Sequence, residues 1–173
     1  MKFAKFIIFI LFLLFLVNPT VNAQETWEIS NFRSDINIEQ TGTVSISETI
    51  TANFGSLQKH GIYRDIPYVY QKDDGSKYYT EVSFGEVTQN GEKAETQVTK
   101  NDANIRVRIG DPDKTVSGNQ TYKINYTASG VISAYEKYDE FYWDVKGNDW
   151  EAPIKSVTSS VTLPNDSVVQ VSC

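Results

Sequence analysis

The sequence contains few of the side chains on which many catalytic and metal sites depend. Its 173 residues include one cysteine, Cys173, and one histidine, His60. A disulfide within the chain is therefore excluded, and no cysteine cluster or second histidine supports a transition-metal site. A serine–histidine–aspartate triad would have to use His60, which is more simply a loop residue beside Gly61. Cys173 is either an unpaired thiol or the partner of a cysteine beyond the end of this sequence.

Basic residues are in the minority. Lysine and arginine number 16 against 22 aspartates and glutamates, so the formal net charge is −6. An acidic domain repels nucleic acid and anionic lipid headgroups. No basic cluster offsets this charge, because Arg106 and Arg108 share a strand face but are nearly alone there. Nucleic acid is therefore discarded as a partner.

A hydrophobic run long enough to span a membrane is also missing. The apolar run at the N-terminus covers only residues 6–17, whereas a spanning helix needs ~20 residues. It follows Lys2 and Lys5 and precedes Val21-Asn22-Ala23, which fits the small-x-small pattern cut by signal peptidase. We predict a signal peptide over 1–23 and an exported domain over 24–173. An uncleaved membrane anchor is the alternative, and export is expected in both cases.

After the leader, apolar and polar residues alternate as in β-strands with one buried face. This alternation occurs at 44–54, 104–109, 122–128, 141–145 and 156–163. Turn-forming residues separate the runs, and Asn90-Gly91 is typical of a type I′ hairpin. We predict an all-β domain, an antiparallel β-sandwich that is immunoglobulin-like in general form. Residues 132–140 fit no run, and a short helix or an irregular loop are both open there.

Three stretches, 42–48, 60–67 and 141–154, resemble one family. They include GIYRDIP at 61–67 and YWDVKGNDW at 142–150, in that order. The chain resembles the domain of unknown function 2207 family (DUF2207), the exported N-terminal domain of predicted bacterial membrane proteins. The resemblance implies a signal peptide, an extracytoplasmic β-domain, transmembrane helices and a cytoplasmic tail, with no established biochemical activity.

The C-terminal end departs from this family pattern. Residues 168–171 resemble the start of a strand, and the sequence stops at Cys173 before any membrane span. In the family a strand pair follows, often with a second cysteine. The resemblance therefore implies a domain truncated at its C-terminal end, with a partner for Cys173 outside this chain. It also implies membrane attachment through missing helices.

Glu48 is the most unusual polar residue of the alternating runs. It has the same parity as Val44, Ile46 and Ile50, so its carboxylate should point into the core. A lone buried carboxylate costs several kcal/mol and needs a partner. We take Arg64, from the Tyr-Arg-Asp part of the resemblance, as that partner because a guanidinium fork suits a buried carboxylate. The hypothesis is a structural ion pair, and a bulge that turns Glu48 outward is the alternative.

Tyrosine and tryptophan are the most plausible binding side chains, because their flat faces suit sugars and peptides. We place a weak candidate binding site near Tyr142, Asp149 and Trp150; core tryptophans with amphipathic surface tyrosines are the simpler explanation. Clusters of aspartate and asparagine are assigned to turns rather than to calcium. We therefore expect no metal, no cofactor and no catalytic residue.

The expected function is that of a non-enzymatic extracytoplasmic domain of a membrane-associated envelope protein, with an interaction or sensing role. Its partner would be a protein or glycan of the cell envelope. A carbohydrate or cell-wall binding module that uses surface aromatics is the second possibility. A glycosidase is the third, and it would need two carboxylates that face each other across a cleft.

Overall fold

The computed structural model describes residues 26–71, 75–147 and 149–164, and all regular elements among them are β-strands. No helix in this part of the chain is long and apolar enough to cross a bilayer. The predicted signal peptide, the strand-like residues 168–171 and Cys173 lie outside the described residues. The strands are β1 (Glu28–Ile38), β2 (Val44–Asn53), β3 (Ile62–Pro67), β4 (Val69–Gln71), β5 (Lys77–Tyr79), β6 (Glu81–Gln89), β7 (Glu92–Lys93), β8 (Thr96–Lys100), β9 (Asn104–Ile109), β10 (Asn119–Ser129), β11 (Ile132–Ala134), β12 (Asp139–Phe141) and β13 (Val157–Thr162).

Two sheets form the body of the fold. The larger has the strand order β13-β1-β2-β10-β6-β7, and the smaller has the order β3-β9-β8. Two short hairpins, β4–β5 and β11–β12, stand apart from them. The named pairings are antiparallel except for β1 with β13, which is parallel. Buried side chains of both sheets belong to one core, so the fold is the predicted all-β sandwich.

Alternation in the sequence becomes alternation of burial. In β2, Val44, Ile46 and Ile50 are at most 2% exposed, and Ser45, Ser47 and Thr49 are half-buried on the other face. β10 pairs with β2 and places Tyr126 opposite Ile46. Each such apolar side chain contributes about 1.5–3 kcal/mol by leaving water. The inward face of β2 is therefore apolar except at Glu48.

The hairpin predicted at Asn90-Gly91 is confirmed. Gln89 pairs with Glu92, which leaves a two-residue loop between β6 and β7. Asn90 has a φ of 53° and Gly91 a φ of 86°. Two central residues with positive φ are what a type I′ turn requires, and asparagine and glycine tolerate that conformation best.

Three expectations about the C-terminal third are wrong. The alternation at 141–145 predicted a strand, but β12 ends at Phe141. Residues 132–140 form neither a helix nor an irregular loop, because β11 pairs there with β12. Val157 and Val161, expected in the core, are 45% and 51% exposed. They lie on β13, the outermost strand of a sheet that has six strands, whereas the other sheet has only three.

Candidate functional site

The carboxylate of Glu48 is bound by a guanidinium inside the sandwich. Glu48 on β2 is 0% exposed and Arg64 on β3 is 1% exposed. Nε of Arg64 donates to Oε2 of Glu48 at 2.7 Å, and Nη2 donates to Oε1 at 2.7 Å. The two hydrogen bonds form the two-pronged geometry in which arginine binds carboxylates best. The structure thus brings together the two residues that the sequence suggested as an ion pair.

Neighbouring groups satisfy the rest of this buried pair. The hydroxyl of Tyr126 donates to Oε1 of Glu48 at 2.7 Å. Nη1 of Arg64 donates to the carbonyl oxygens of Asp65 and Lys146 at 2.8 and 2.9 Å, and Nη2 also donates to that of Val145 at 3.1 Å. Every N–H of the guanidinium therefore has an acceptor. We call Glu48, Arg64, Tyr126 and these three carbonyl groups the Arg64 cluster.

Residues 143–147 and Trp150 close over the Arg64 cluster. Gly147 has a φ of 70° and is buried, and its N–H donates to Oδ1 of Asp144 at 3.0 Å. The indole N–H of Trp150 donates to the carbonyl oxygen of Lys146 at 2.6 Å. Cζ of Arg64 lies 5.9 Å from the Trp150 ring centre and 5.3 Å from that of Phe32. The two rings lie edge to face with centres 6.0 Å apart, and both make cation–π contacts with the guanidinium.

The electrostatics of the Arg64 cluster fix its protonation. Burial alone would lower the pKa of the Arg64 guanidinium, but the charge and hydrogen bonds of Glu48 outweigh burial and raise it above its ordinary value. Burial, followed by the charge of Glu48, raises the pKa of the Tyr126 hydroxyl well above 10. Neither group releases a proton near neutral pH. The cluster is therefore suited to holding structure rather than to acid–base chemistry.

A second ion pair lies beside the first one. Asp65, the next residue on β3, accepts from Nε and Nη2 of Arg106 on β9 at 2.8 and 2.7 Å. Asp65 is 8% exposed, whereas the Arg106 side chain is 47% exposed. Cζ of Arg106 lies 5.4 Å from the ring centre of Tyr63. Adjacent residues of β3 thus carry one ion pair in the core and one near the surface.

A groove lies beside this second pair and includes two of the predicted binding residues. Its volume is about 380 Å³. Asp149 and Trp150 line it, and Tyr142 is not among its lining residues. We call it the Arg108 groove; its lining residues are Trp27, Lys59, His60, Gly61, Ile62, Tyr63, Arg106, Arg108, Asp149, Trp150 and Glu151.

Tyr142 belongs to a different part of the surface. It is 65% exposed and lies close enough to Tyr70 and Tyr78 to contribute to the raised pKa values of their hydroxyls. The rings of Tyr70 and Tyr78 stack with centres 5.3 Å apart. Burial, with smaller contributions from Tyr78, Asp144 and Tyr142, raises the pKa of Tyr70 to about 12. The three predicted binding residues are thus divided between the Arg108 groove and a surface rich in tyrosine.

Comparison with known proteins identifies the family. The profile described as the N-terminal domain of predicted membrane proteins (DUF2207) matches residues 28–172. The chain belongs to the DUF2207 family. The uncharacterized protein YciQ of Escherichia coli is 25% identical over 139 residues, which cover 79% of this chain and 22% of YciQ. This DUF2207 domain thus spans 22% of the length of the curated relative that it matches.

Solved structures resemble the DUF2207 domain only distantly. The native leukotriene A4 hydrolase from Saccharomyces cerevisiae has a TM-score of 0.42 and 15% identity, over 69% of this chain and 18% of its own. The M1 zinc metallopeptidase from Deinococcus radiodurans has a TM-score of 0.40 and 10% identity, over 64% of this chain and 22% of its own. At such TM-scores neither likeness bears on function.

The two strings that suggested DUF2207 meet in the Arg64 cluster. GIYRDIP supplies Arg64 and Asp65, and YWDVKGNDW supplies Val145, Lys146 and Trp150. Sequence reasoning missed Tyr126 and the two carbonyl groups of the second string. Tyr126 could have been found from the sequence. Its position in the alternation of β10 turns it inward, and a buried hydroxyl requires a hydrogen-bond partner. Backbone carbonyls have no residue-type signal.

Proposed function

We propose that this DUF2207 domain is a non-enzymatic interaction domain on the extracytoplasmic side of a membrane-associated envelope protein. The observation that carries the proposal is that the Arg64 cluster is buried and that every N–H of its guanidinium is hydrogen-bonded within the domain. Arg64 and Asp65, the buried charged residues of the GIYRDIP string, form ion pairs with other residues of the domain. Function is therefore assigned to the surface and not to the buried charges.

Catalysis at the Arg64 cluster is disfavoured by geometry as well as by protonation. A catalytic group must come within hydrogen-bond reach of a substrate atom. Arg64 is 1% exposed with every N–H engaged, and Glu48 is 0% exposed. A substrate could reach them only if residues 143–147 moved away. That departure would break the hydrogen bonds from Arg64 to Val145 and Lys146.

The extracytoplasmic side is favoured by the N-terminal residues and by the charge. Lys2 and Lys5, the short apolar run and the cleavage pattern before Gln24 are typical of an export signal. The family's description as the N-terminal domain of predicted membrane proteins agrees with a position at a membrane. An acidic surface would not adhere to anionic lipid headgroups, so it suits a domain that projects into the envelope.

A fusion to alkaline phosphatase tests the location. This enzyme needs disulfides that form outside the cytoplasm, so phosphatase fused after residue 164 should be active in intact cells. The control starts at residue 24 and lacks the predicted leader; its phosphatase should be inactive at equal protein level. Equal activity of the two fusions, or an inactive fusion with the leader, would overturn the proposal.

Exposed tyrosines favour a second candidate function, that of a carbohydrate or cell-wall binding module. Tyr142 is 65% exposed beside the Tyr70–Tyr78 stack, and tyrosine rings make good platforms for sugars. Sedimentation with purified cell-wall material tests it. Tyr142→Ala should reduce the pelleted fraction several-fold, whereas Tyr63→Ala, an exposed tyrosine of the Arg108 groove, should not. Equal pelleting of both variants and the parent protein excludes the tyrosine surface.

A further inference from the structure

The four arginines of the chain all lie in its described part, and three of them hold a carboxylate with two prongs. Arg33 binds Asp35, Arg64 binds Glu48, and Arg106 binds Asp65, with all distances between 2.7 and 2.8 Å.

Arg108 is the exception. Its Nη2 lies 3.4 Å from Oε1 of the exposed Glu95, and its Nε is buried without an acceptor. The Arg108 side chain is only 20% exposed. A guanidinium withdrawn this far from water normally has its donors satisfied, because an unpaired buried donor is costly. The fork of Arg108 therefore lacks the two-pronged acceptor that the other three arginines have.

Arg108 is one of the residues that line the Arg108 groove. Arg108 on β9 pairs across the sheet with Tyr63, which is 52% exposed. Lys59 lines the same groove, with Nζ 5.6 Å from the ring centre of Trp27. Arg106 contributes little net charge, because Asp65 neutralises it. Arg108 and Lys59 are therefore the cations of the groove that an incoming carboxylate would meet.

Acidic side chains line the same groove. Asp149 accepts a hydrogen bond from the neutral amide of Asn104 at 3.2 Å, and Glu151 is exposed. With two cations and two acids, the groove would repel a polyanion or a polycation about equally. A ligand with one carboxylate and one ammonium group fits this charge pattern, and the rings of Trp27, Tyr63 and Trp150 offer apolar contact.

We propose that the Arg108 groove binds a small zwitterion, an amino acid or a short peptide with unmodified ends. Arg108 binds the carboxylate in two-pronged geometry, and Asp149 and Glu151 attract the ammonium group. The inference deepens the proposed interaction role and rests on it for the envelope as the source of such a ligand. Binding itself requires only the purified protein, so its failure is distinct from a failure of the location experiment.

Three dipeptides test the two charged groups of the ligand one at a time. Alanyl-alanine has both, N-acetyl-alanyl-alanine lacks the ammonium group, and alanyl-alanine amide lacks the carboxylate. The Nε–H resonances of the four arginines report binding by NMR, and the Arg108 signal is assigned by its loss in Arg108→Lys. Alanyl-alanine should shift the Arg108 signal saturably. The amide, which lacks the carboxylate, should bind about tenfold more weakly or not at all. The N-acetyl form should bind several-fold more weakly than alanyl-alanine.

Variants test Arg108 itself, and because they lack the Arg108 signal, their binding is followed by the backbone amide signals of the groove residues. Arg108→Gln should weaken alanyl-alanine binding about tenfold or more, and Arg108→Lys, which keeps the charge but not the fork, should fall between it and the parent. Arg33→Gln, on the other sheet, should bind as the parent does. Thermal unfolding of each variant shows that it is folded before it is titrated.

Three results would overturn the proposal: no saturable shift with alanyl-alanine, equal binding of the amide, or unchanged binding by folded Arg108→Gln. Equal binding of the N-acetyl form would overturn the proposed attraction of the ammonium group by Asp149 and Glu151, and would leave recognition of the carboxylate by Arg108 supported.

Discussion

Gly147 lies so close to Arg64 that a Cβ atom at position 147 would be 2.7 Å from Nη1 of the guanidinium. The carbonyl oxygen of Asp65 would be 3.2 Å from the same Cβ. Arg64 cannot move aside cheaply, because Nη1 is held by the carbonyl oxygens of Asp65 and Lys146. Glycine is required here by close approach as well as by its positive φ.

Gly147→Ala should therefore destabilise the domain more than a comparable glycine substitution elsewhere. Gly42 is the matched control, because its φ of 79° is similar and no atom lies within 4 Å of an added Cβ. We expect Gly42→Ala to cost about 1–2 kcal/mol for the backbone conformation. Gly147→Ala should cost about 1–3 kcal/mol more for the contact with Arg64. Denaturant unfolding measures both, and equal losses would mean that residues 143–147 shift without strain.

The buried pair of Glu48 and Arg64 should show strong energetic coupling. Glu48→Gln and Arg64→Gln should each cost about 3–5 kcal/mol, since each leaves a buried charge without its partner. The double variant should cost clearly less than the two losses together. In the exposed pair of Arg33 and Asp35, the corresponding single substitutions should each cost at most about 1 kcal/mol. A double-mutant cycle without coupling would refute the structural ion pair.

Two buried tyrosines of β10 should respond differently to loss of their hydroxyls. Tyr126 donates to Glu48, whereas the hydroxyl of Tyr122 is buried without a partner. Tyr126→Phe should cost about 1.5–3 kcal/mol, because it removes a hydrogen bond to a charged group. Tyr122→Phe should be neutral or slightly stabilising. If chemical unfolding gives the same change for both, the Tyr126 hydroxyl does not help to hold Glu48.

Asp35 should give the surface of the large sheet a measurable pH dependence. Hydrogen bonds from Arg33 and then from Ser160 lower its pKa from 3.8 to about 2. The folded state thus favours the carboxylate, so this contribution to stability is present above about pH 4 and is lost as the pH falls towards 2.

NMR titration of the carboxyl carbon gives the pKa of Asp35 directly. Ser160→Ala should raise it, because Ser160 Oγ donates to Oδ1 at 2.6 Å. Ser159→Ala, at the preceding position of β13, should leave it unchanged. An unaltered pKa in Ser160→Ala would show that the contact between β13 and β1 does not persist in solution.

The sandwich could be predicted because strand parity is a local property. Alternation placed Val44, Ile46 and Ile50 on one face, and the same alternation turned Glu48 inward. The expectation for Val157 and Val161 failed although their parity was right, because burial depends on which strands lie opposite. That information is absent from a strand's own sequence.

The site was less predictable, since much of it is backbone. The fork of Arg64 could be matched to Glu48 by chemistry, but the carbonyl groups of Val145 and Lys146 carry no mark in the sequence. The alternation at 141–145 even favoured a strand there. Val145 and Lys146 instead lie outside the strands and direct their carbonyl groups towards Arg64.

The parallel pairing of β1 with β13 determines when the large sheet can be completed. Phe32 is aligned with Val157 and Asn37 with Thr162, so the first and last described strands are neighbours. Contacts between parts of a chain this distant in sequence form more slowly than local ones, because a long loop must close first. A polypeptide that emerges from the ribosome, or through a translocation pore, N-terminus first cannot finish this sheet until residues 157–162 have followed. Of the strands that the structure describes, the edge strand β13 is therefore the one that completes the large sheet.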